Sequence, residues 1–203
     1  LLPDLASLDM LPENNERKKM MLNAANQEKF DMQQRFGYQP SFMRNMLHLN
    51  NGNRRHNNKS EPFFSEIGQV AGVFETDWSW SVLMADFDND GYKDLFVTNG
   101  YLRDYTNKDF LRYWGDYKLK KAIDREPALL MDLVKAMPST LLPNYIYSNN
   151  RDLTFSNKQK EWGVTAAAIS SGAVYADLDN DGDLDLVVNN INENAFVYKN
   201  QGR

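Results

Sequence analysis

A mainly β fold, assembled from repeated strand–turn units and broken by two helical insertions, is what this 203-residue sequence predicts. Three observations lead there. An aspartate-rich loop occurs twice in one register, an alternating strand pattern recurs beside each copy, and two stretches of helical character separate the copies.

The loops come first. "ADFDNDGYKDLFVTNG" starts at Ala85 and "ADLDNDGDLDLVVNN" at Ala176, an offset of 91 that carries Asp86, Asp88, Asp90, Gly91 and Asp94 onto Asp177, Asp179, Asp181, Gly182 and Asp185. The same offset holds upstream, taking Phe64 to Phe155, Gly72 to Gly163 and Val73 to Val164. The apolar stretches flanking each loop predict strands at Ser79–Ala85, Leu95–Thr98, Ser170–Ala176 and Leu186–Asn189.

The second signature is "NMLHLNNG" at Asn45, similar to "NYIYSNNR" at Asn144 and "AFVYKNQG" at Ala195. Alternation ending in an Asn-rich turn reads as strand then turn, giving strands at Tyr145–Ser148 and Phe196–Lys199 and a further one at Phe155. The first two copies are 99 residues apart, so the first unit holds eight extra residues, most simply in a polar loop over Arg54–Ser60. A partial third unit opens the chain, where "LPDLASLD" lies beneath "YKDLFVTN" with Asp4 opposite Asp94 and Leu5 opposite Leu95.

The helical insertions are residues 12–36 and 104–138. Leu22, Ala25, Met32 and Phe36 recur near helical spacing in the first. The second opens on a capping-box-like Thr106…Asp109, is interrupted at Pro127 and resumes in "ALLMDLVKAM" before Pro138.

Composition narrows the functional classes. Lysine and arginine number 23 against 28 acids, a net charge of −5, so no basic face for nucleic acid is expected. There are no cysteines and only two histidines, His48 and His56, which leaves little for thiolate or imidazole metal sites or a histidine-based triad. No apolar stretch is long enough for a membrane span. "LLPDLASLDM" lacks the basic start and long apolar core of a signal peptide, so any export signal would lie outside this sequence.

The aspartate loops carry the chemistry. Carboxylates about 4 Å apart repel by roughly 4 kcal/mol per pair at an effective dielectric of 20, so a cation is expected among them. Ca²⁺ takes six to eight oxygens, and D-x-D-x-D-G-x-x-D supplies side chains from positions 1, 3, 5 and 9 and a carbonyl from 7. Glycine at position 6 permits the sharp turn. Two Ca²⁺ sites are predicted: Asp86, Asp88, Asp90, Tyr92 (carbonyl) and Asp94; and Asp177, Asp179, Asp181, Asp183 (carbonyl) and Asp185. An EF-hand would need a Glu at position 12 and flanking helices; Val97 and Val188 stand there and the flanks read as strand. Solvated Asn/Asp/Gly turns without an ion are the plainer alternative.

These residues, with the "NxLxxNN…F" elements before them, resemble FG-GAP/VCBS repeats over roughly Met43–Thr98 and Asn144–Gly202. Such repeats form blades of integrin-α-like β-propellers and occur in exported bacterial relatives of cartilage acidic protein. The resemblance implies antiparallel four-stranded blades of a partial propeller, the metal loop joining strands one and two, and an extracellular, periplasmic or outer cell-surface location. More blades are needed to close a ring, so neighbours are expected to be missing or supplied by another chain.

No catalytic residue is predicted. The favoured expectation is a calcium-stabilised module binding a protein or glycan partner, or acting as a scaffold. Asp77, Trp78, Trp80, Tyr113, Trp114 and Tyr117 are the contact candidates, with Trp80 expected in the core and Trp114 exposed. The alternative is part of a calcium-dependent polysaccharide-active enzyme, with Asp77 or Asp116 as its acid.

Overall fold

The computed structural model describes residues 2–21, 27–39, 42–57 and 59–202. In chain order the elements are β1 (Leu5–Ser7), β2 (Met10–Leu11), α1 (Asn15–Met21), α2 (Gln27–Arg35), β3 (Met46–His56), β4 (Lys59–Glu66), α3 (Gly68–Ala71), β5 (Asp77–Ala85) and β6 (Asp94–Asn99). There follow α4 (Lys108–Asp124), α5 (Leu130–Ala136), β7 (Leu142–Pro143), β8 (Tyr145–Asn149), β9 (Phe155–Asn157), β10 (Ala167–Ala168), β11 (Ser170–Ala176), β12 (Asp185–Asn190) and β13 (Phe196–Tyr198). The fold is mainly β, with antiparallel sheets in the manner of a partial propeller and helices in the insertions. Leu22 and Ala25 lie outside the described residues.

The chain divides into two compact units: residues 1–11, 44–100 and 141–203 hold the sheets, and residues 12–43 and 101–140 hold the insertions.

In the first unit three sheets repeat one plan. β5-β6-β8-β9 is a complete four-stranded blade, to which β2 adds a fifth strand by pairing Met10 with Trp78. Among the described residues, β1-β3-β4 matches the second to fourth strands of that plan and β11-β12-β13 the first three. Register proves the equivalence. Leu5 pairs with His48, Leu95 with Tyr147 and Leu186 with Tyr198, so β1 stands where β6 and β12 stand. A short β7–β10 ladder pairs Leu142 with Ala168.

Burial follows from position in the sheet. Every residue of β6 is buried, as expected of a strand with neighbours on both edges and sheets on both faces. One core joins Ala85, Phe87, Phe96 and Ile146 to Val164, Leu186 and Val188 of the third sheet's side. A second joins Leu47, Ala71 and Val73 to Leu95 and Tyr147. A side chain such as Phe96 contributes about 1.5–3 kcal/mol when fully buried.

Polar residues lock the same places. The Asn144 Oδ1 accepts the Asn99 amide at 3.0 Å while its Nδ2 donates to Ser170 Oγ at 3.0 Å. Asn45 repeats this one unit earlier, taking the Asp9 amide at 3.0 Å and donating to Thr76 Oγ1 at 2.5 Å. The leading Asn of each "NxLxxN" element is thus a buried connector, which explains its place in the pattern.

Several local expectations change. Arg54–Ser60 is not a loop: the polar run extends β3 and β4 into a hairpin pairing Arg54 with Glu61 and His56 with Lys59. The ladder restarts after a bulge between Asn50 and Asn53, and Asn57 takes the left-handed conformation (φ 49°) that asparagine tolerates at a tight turn. Trp80 is 52% exposed rather than core. It is the extra residue of a bulge between Ser79 and Ser81, and Ser171 is the extra residue at the matching place in β11, so the alternation slips by one. Helix α4 begins one residue later than Thr106 suggests, because Asn107 caps it by accepting the Phe110 amide at 3.0 Å.

In the second unit Met21, Phe110 and Leu133 are buried. Asp104, also buried, ties its parts together: its Oδ2 meets Arg17 Nη1 of α1 at 3.3 Å and accepts Thr140 Oγ1 at 2.9 Å. Helix α4 stops at a left-handed Arg125 (φ 55°), just ahead of Pro127. Trp114 is half-buried rather than exposed as expected, lying against its own helix with the Lys118 ammonium 4.8 Å from its ring centre, while Tyr113 is exposed. No helix among the described residues is long and apolar enough to cross a membrane.

Candidate metal centre

Each aspartate loop is a curl held by its own carboxylates. Asp86 accepts the amides of Asp90 (3.0 Å) and Gly91 (2.8 Å), and Asp177 those of Asp181 (3.2 Å) and Gly182 (3.1 Å). Asp90 accepts the Tyr92 amide at 2.8 Å, and Asp181 the Asp183 amide at 3.0 Å. The curl needs left-handed residues at positions 4 and 6, and they are Asn89 (φ 56°) with Gly91 (φ 88°), and Asn180 (φ 61°) with Gly182 (φ 94°).

Position 9 closes the loop and fastens the third strand. Asp94 Oδ2 accepts the Phe87 amide at 2.9 Å and its Oδ1 the Asn149 amide at 3.0 Å. Asp185 does the same with Leu178 (3.1 Å) and Asn200 (2.8 Å). The bond to the third strand also exists at the chain start, where Asp4 Oδ1 accepts the Asn50 amide at 2.8 Å. Position 9 therefore has a structural task of its own.

Three of the four carboxylates expected at each site gather, and they are not the same three in the two loops. Oxygens of Asp86, Asp88 and Asp94 lie within 4.8 Å of one another in the first, and those of Asp177, Asp179 and Asp181 in the second. Asp90 leaves the first group because Arg151 holds it, with Nη2 2.8 Å and Nε 3.2 Å from its Oδ2. Asp185 stays with its two backbone amides. Tyr92 and Asp183, expected to offer carbonyls, use their side chains elsewhere: the Arg151 guanidinium lies 4.9 Å from the Tyr92 ring centre, and Asp183 accepts Asn89 Nδ2 from the other loop.

A cation fits the first loop on one independent observation. Asp88 Oδ1 is buried without a hydrogen-bond partner, and its Oδ2 has only Ser148 Oγ at 3.3 Å. A buried, half-satisfied carboxylate beside two others is costly unless a positive charge reaches it. In the second loop, Lys199 Nζ contacts Asp179 and lies 3.8 Å from Asp181.

Burial pushes Asp94 up to about 6, against the pull of its two backbone amides. The hydrogen bond from Arg151 lowers Asp90, and that from Lys199 lowers Asp179. Arg151 and Lys199 are the site residues that the spacing does not reveal. Their signal was faint: each sits within two residues of the Asn that ends the third strand, Asn149 or Asn200.

Of the other candidates, Asp77 is buried with its carboxylate on the Trp78 amide at 2.9 Å, and Trp80 donates Nε1 to Gly100 O at 2.6 Å. Asp116 is exposed on α4.

Residues 130–188 match the family model for an FG-GAP-like repeat, a stretch that contains the second loop, strands β7 to β11 and the start of β12. That stretch is similar to an FG-GAP-like repeat, and the first loop shares the backbone hydrogen bonds of the second. No curated protein and no solved structure matches the chain.

Proposed function

We propose that this chain is a calcium-binding FG-GAP/VCBS-type propeller module of an exported or cell-surface protein, with one Ca²⁺ in each aspartate loop. The single observation that carries the reading is the twice-built curl, which concentrates three carboxylates within 4.8 Å in each copy. Asp86, Asp88, Asp90 and Asp94 with the Tyr92 carbonyl would hold one ion, and Asp177, Asp179, Asp181 and Asp185 with the Asp183 carbonyl the other. Bound there, the ion supplies charge neutralisation, not chemistry on a substrate.

The module's work is then to present loops on a rigid frame to a protein or glycan, or to serve as a scaffold. FG-GAP repeats are typically non-enzymatic, and we assign the chain no catalytic residue.

Calorimetric titration with CaCl₂ after chelation tests the reading. Two equivalents are expected for the wild type and one for Asp179→Ala. Absence of heat and of any thermal stabilisation in millimolar calcium would sink it.

A further inference from the structure

The two aspartate loops, both in the first unit, are bonded to each other. Position 2 of the first loop, Phe87, is buried and held at both its amide and its carbonyl. The amide donates to Asp94 Oδ2 at 2.9 Å, and the carbonyl accepts Asn200 Nδ2 at 2.7 Å. Its ring stands edge-on to Tyr175, centroids 6.0 Å apart, two residues ahead of Asp177. Asn200 is itself tied to the second loop. Asp185 Oδ1 accepts its amide at 2.8 Å, and its Nδ2 lies 3.4 Å from Leu184 O. Asn149 and Asn50 stand at the same place and donate within their own units, to Lys93 O at 3.0 Å and Pro3 O at 2.9 Å. Asn200 also reaches across.

A second bridge joins position 4 of the first loop to position 7 of the second, where Asn89 Nδ2 donates to Asp183 Oδ1. Gly202 leaves room for that carboxylate, since a Cβ there would lie 2.5 Å from Asp183 Oδ2.

We propose that Asn89 and Asn200 are positioning residues that couple the two candidate Ca²⁺ sites, so that an ion in one loop raises the affinity of the other. Resting on the calcium reading, this coupling adds a cooperative response to it. The two-state element is the curl itself: without an ion its carboxylates repel one another, and an ion draws them together. An ion in the second loop fixes Asp185 and the Asp183 carbonyl. Asp185 then sets Asn200, which holds the Phe87 carbonyl, while the Asp183 side chain holds Asn89. Positions 2 and 4 of the first loop are ordered before their own ion arrives, and that ion no longer meets the ordering cost. By linkage the effect is equal in the other direction. Repulsion between the two ions opposes it, and salt screens that repulsion.

The test is calorimetric calcium titration of the full chain after chelation, at high ionic strength. Asp179→Ala gives the constant of the first loop alone and Asp88→Ala that of the second. The wild-type two-ion constant should exceed their product by about five-fold or more. Asn89→Gly, which keeps the left-handed backbone at an exposed turn, should lower the excess, and adding Asn200→Ala should abolish it with two ions still bound. Hydrogen exchange gives a second readout. In Asp179→Ala, calcium in the first loop should slow the amides of Asp181, Gly182 and Asp183, and should not do so once Asn89→Gly and Asn200→Ala are added. Two bound ions with a constant equal to the product overturn the coupling and leave the calcium reading standing, whereas no binding at all overturns both. An excess that survives undiminished in Asn89→Gly and in the double variant also overturns the proposal.

Discussion

Asp94 and Asn149 are joined by a carboxylate-to-amide bond of 3.0 Å that fastens the metal loop to the third strand, and Asp4–Asn50 and Asp185–Asn200 repeat it at 2.8 Å. Only the last of the nine loop positions makes this bond, so substitutions along one loop should divide into two kinds.

Asp94→Ala is expected to destabilise by about 2–3 kcal/mol with or without calcium. It strands the buried amides of Phe87 and Asn149, and bonds to a charged acceptor are worth about 1.5–3 kcal/mol. Asp4→Ala, on an exposed residue, should cost about 0.5–1 kcal/mol. Urea unfolding in calcium and in EDTA measures both.

Asp179→Ala should behave differently. Its carboxylate holds Lys199 at an exposed place, where an ion pair is worth little, so the variant should match wild type in EDTA and melt earlier in calcium. Equal losses in both buffers, read by thermal denaturation, would remove Asp179 from the metal site.

Lys199→Ala should tighten calcium binding at the second loop roughly 3–10-fold, because the ammonium competes with the ion for Asp179 and Asp181. The gain should shrink as salt rises. Calorimetry at two ionic strengths reads both effects.

Asp94 sets a pH dependence in the calcium-free protein. Its folded-state pKa of about 6 lies above the ordinary 3.8 because of burial, so the folded state binds that proton more tightly than the unfolded chain does. The stability this group contributes is fully present below about 4 and is lost as pH rises through about 6. Urea midpoints of wild type in EDTA should therefore carry a downward component between pH 5 and 7 that Asp94→Asn lacks. Calcium affinity should fall below pH 6, where proton and ion compete.

Sequence spacing revealed the loops, both their glycines and most of the strands, because strict periodic requirements act there: oxygens at alternate positions, a left-handed turn, alternation along a strand. It also revealed Asp4, on no more than the fit of eight residues. Features set by distant partners stayed hidden. Arg151 reaches Asp90 across 61 residues, and nothing local in either marks the pair. Trp80 reads as core until the bulge shifts it outward, and the Arg54–Ser60 run reads as loop because its side chains are polar on both faces of a hairpin that stands exposed.

The link between second and third strands differs among the three sheets. In the last it is only Ile191–Ala195, while in the others the chain leaves for residues 12–43 or 101–140 before coming back. Neither detour alters how the returning strand registers with the one before it. That junction works as a port of free length, a place where new sequence can be spliced without retuning the frame. A foreign epitope or reporter grafted at Ile191–Ala195 would follow the route the protein has already used twice.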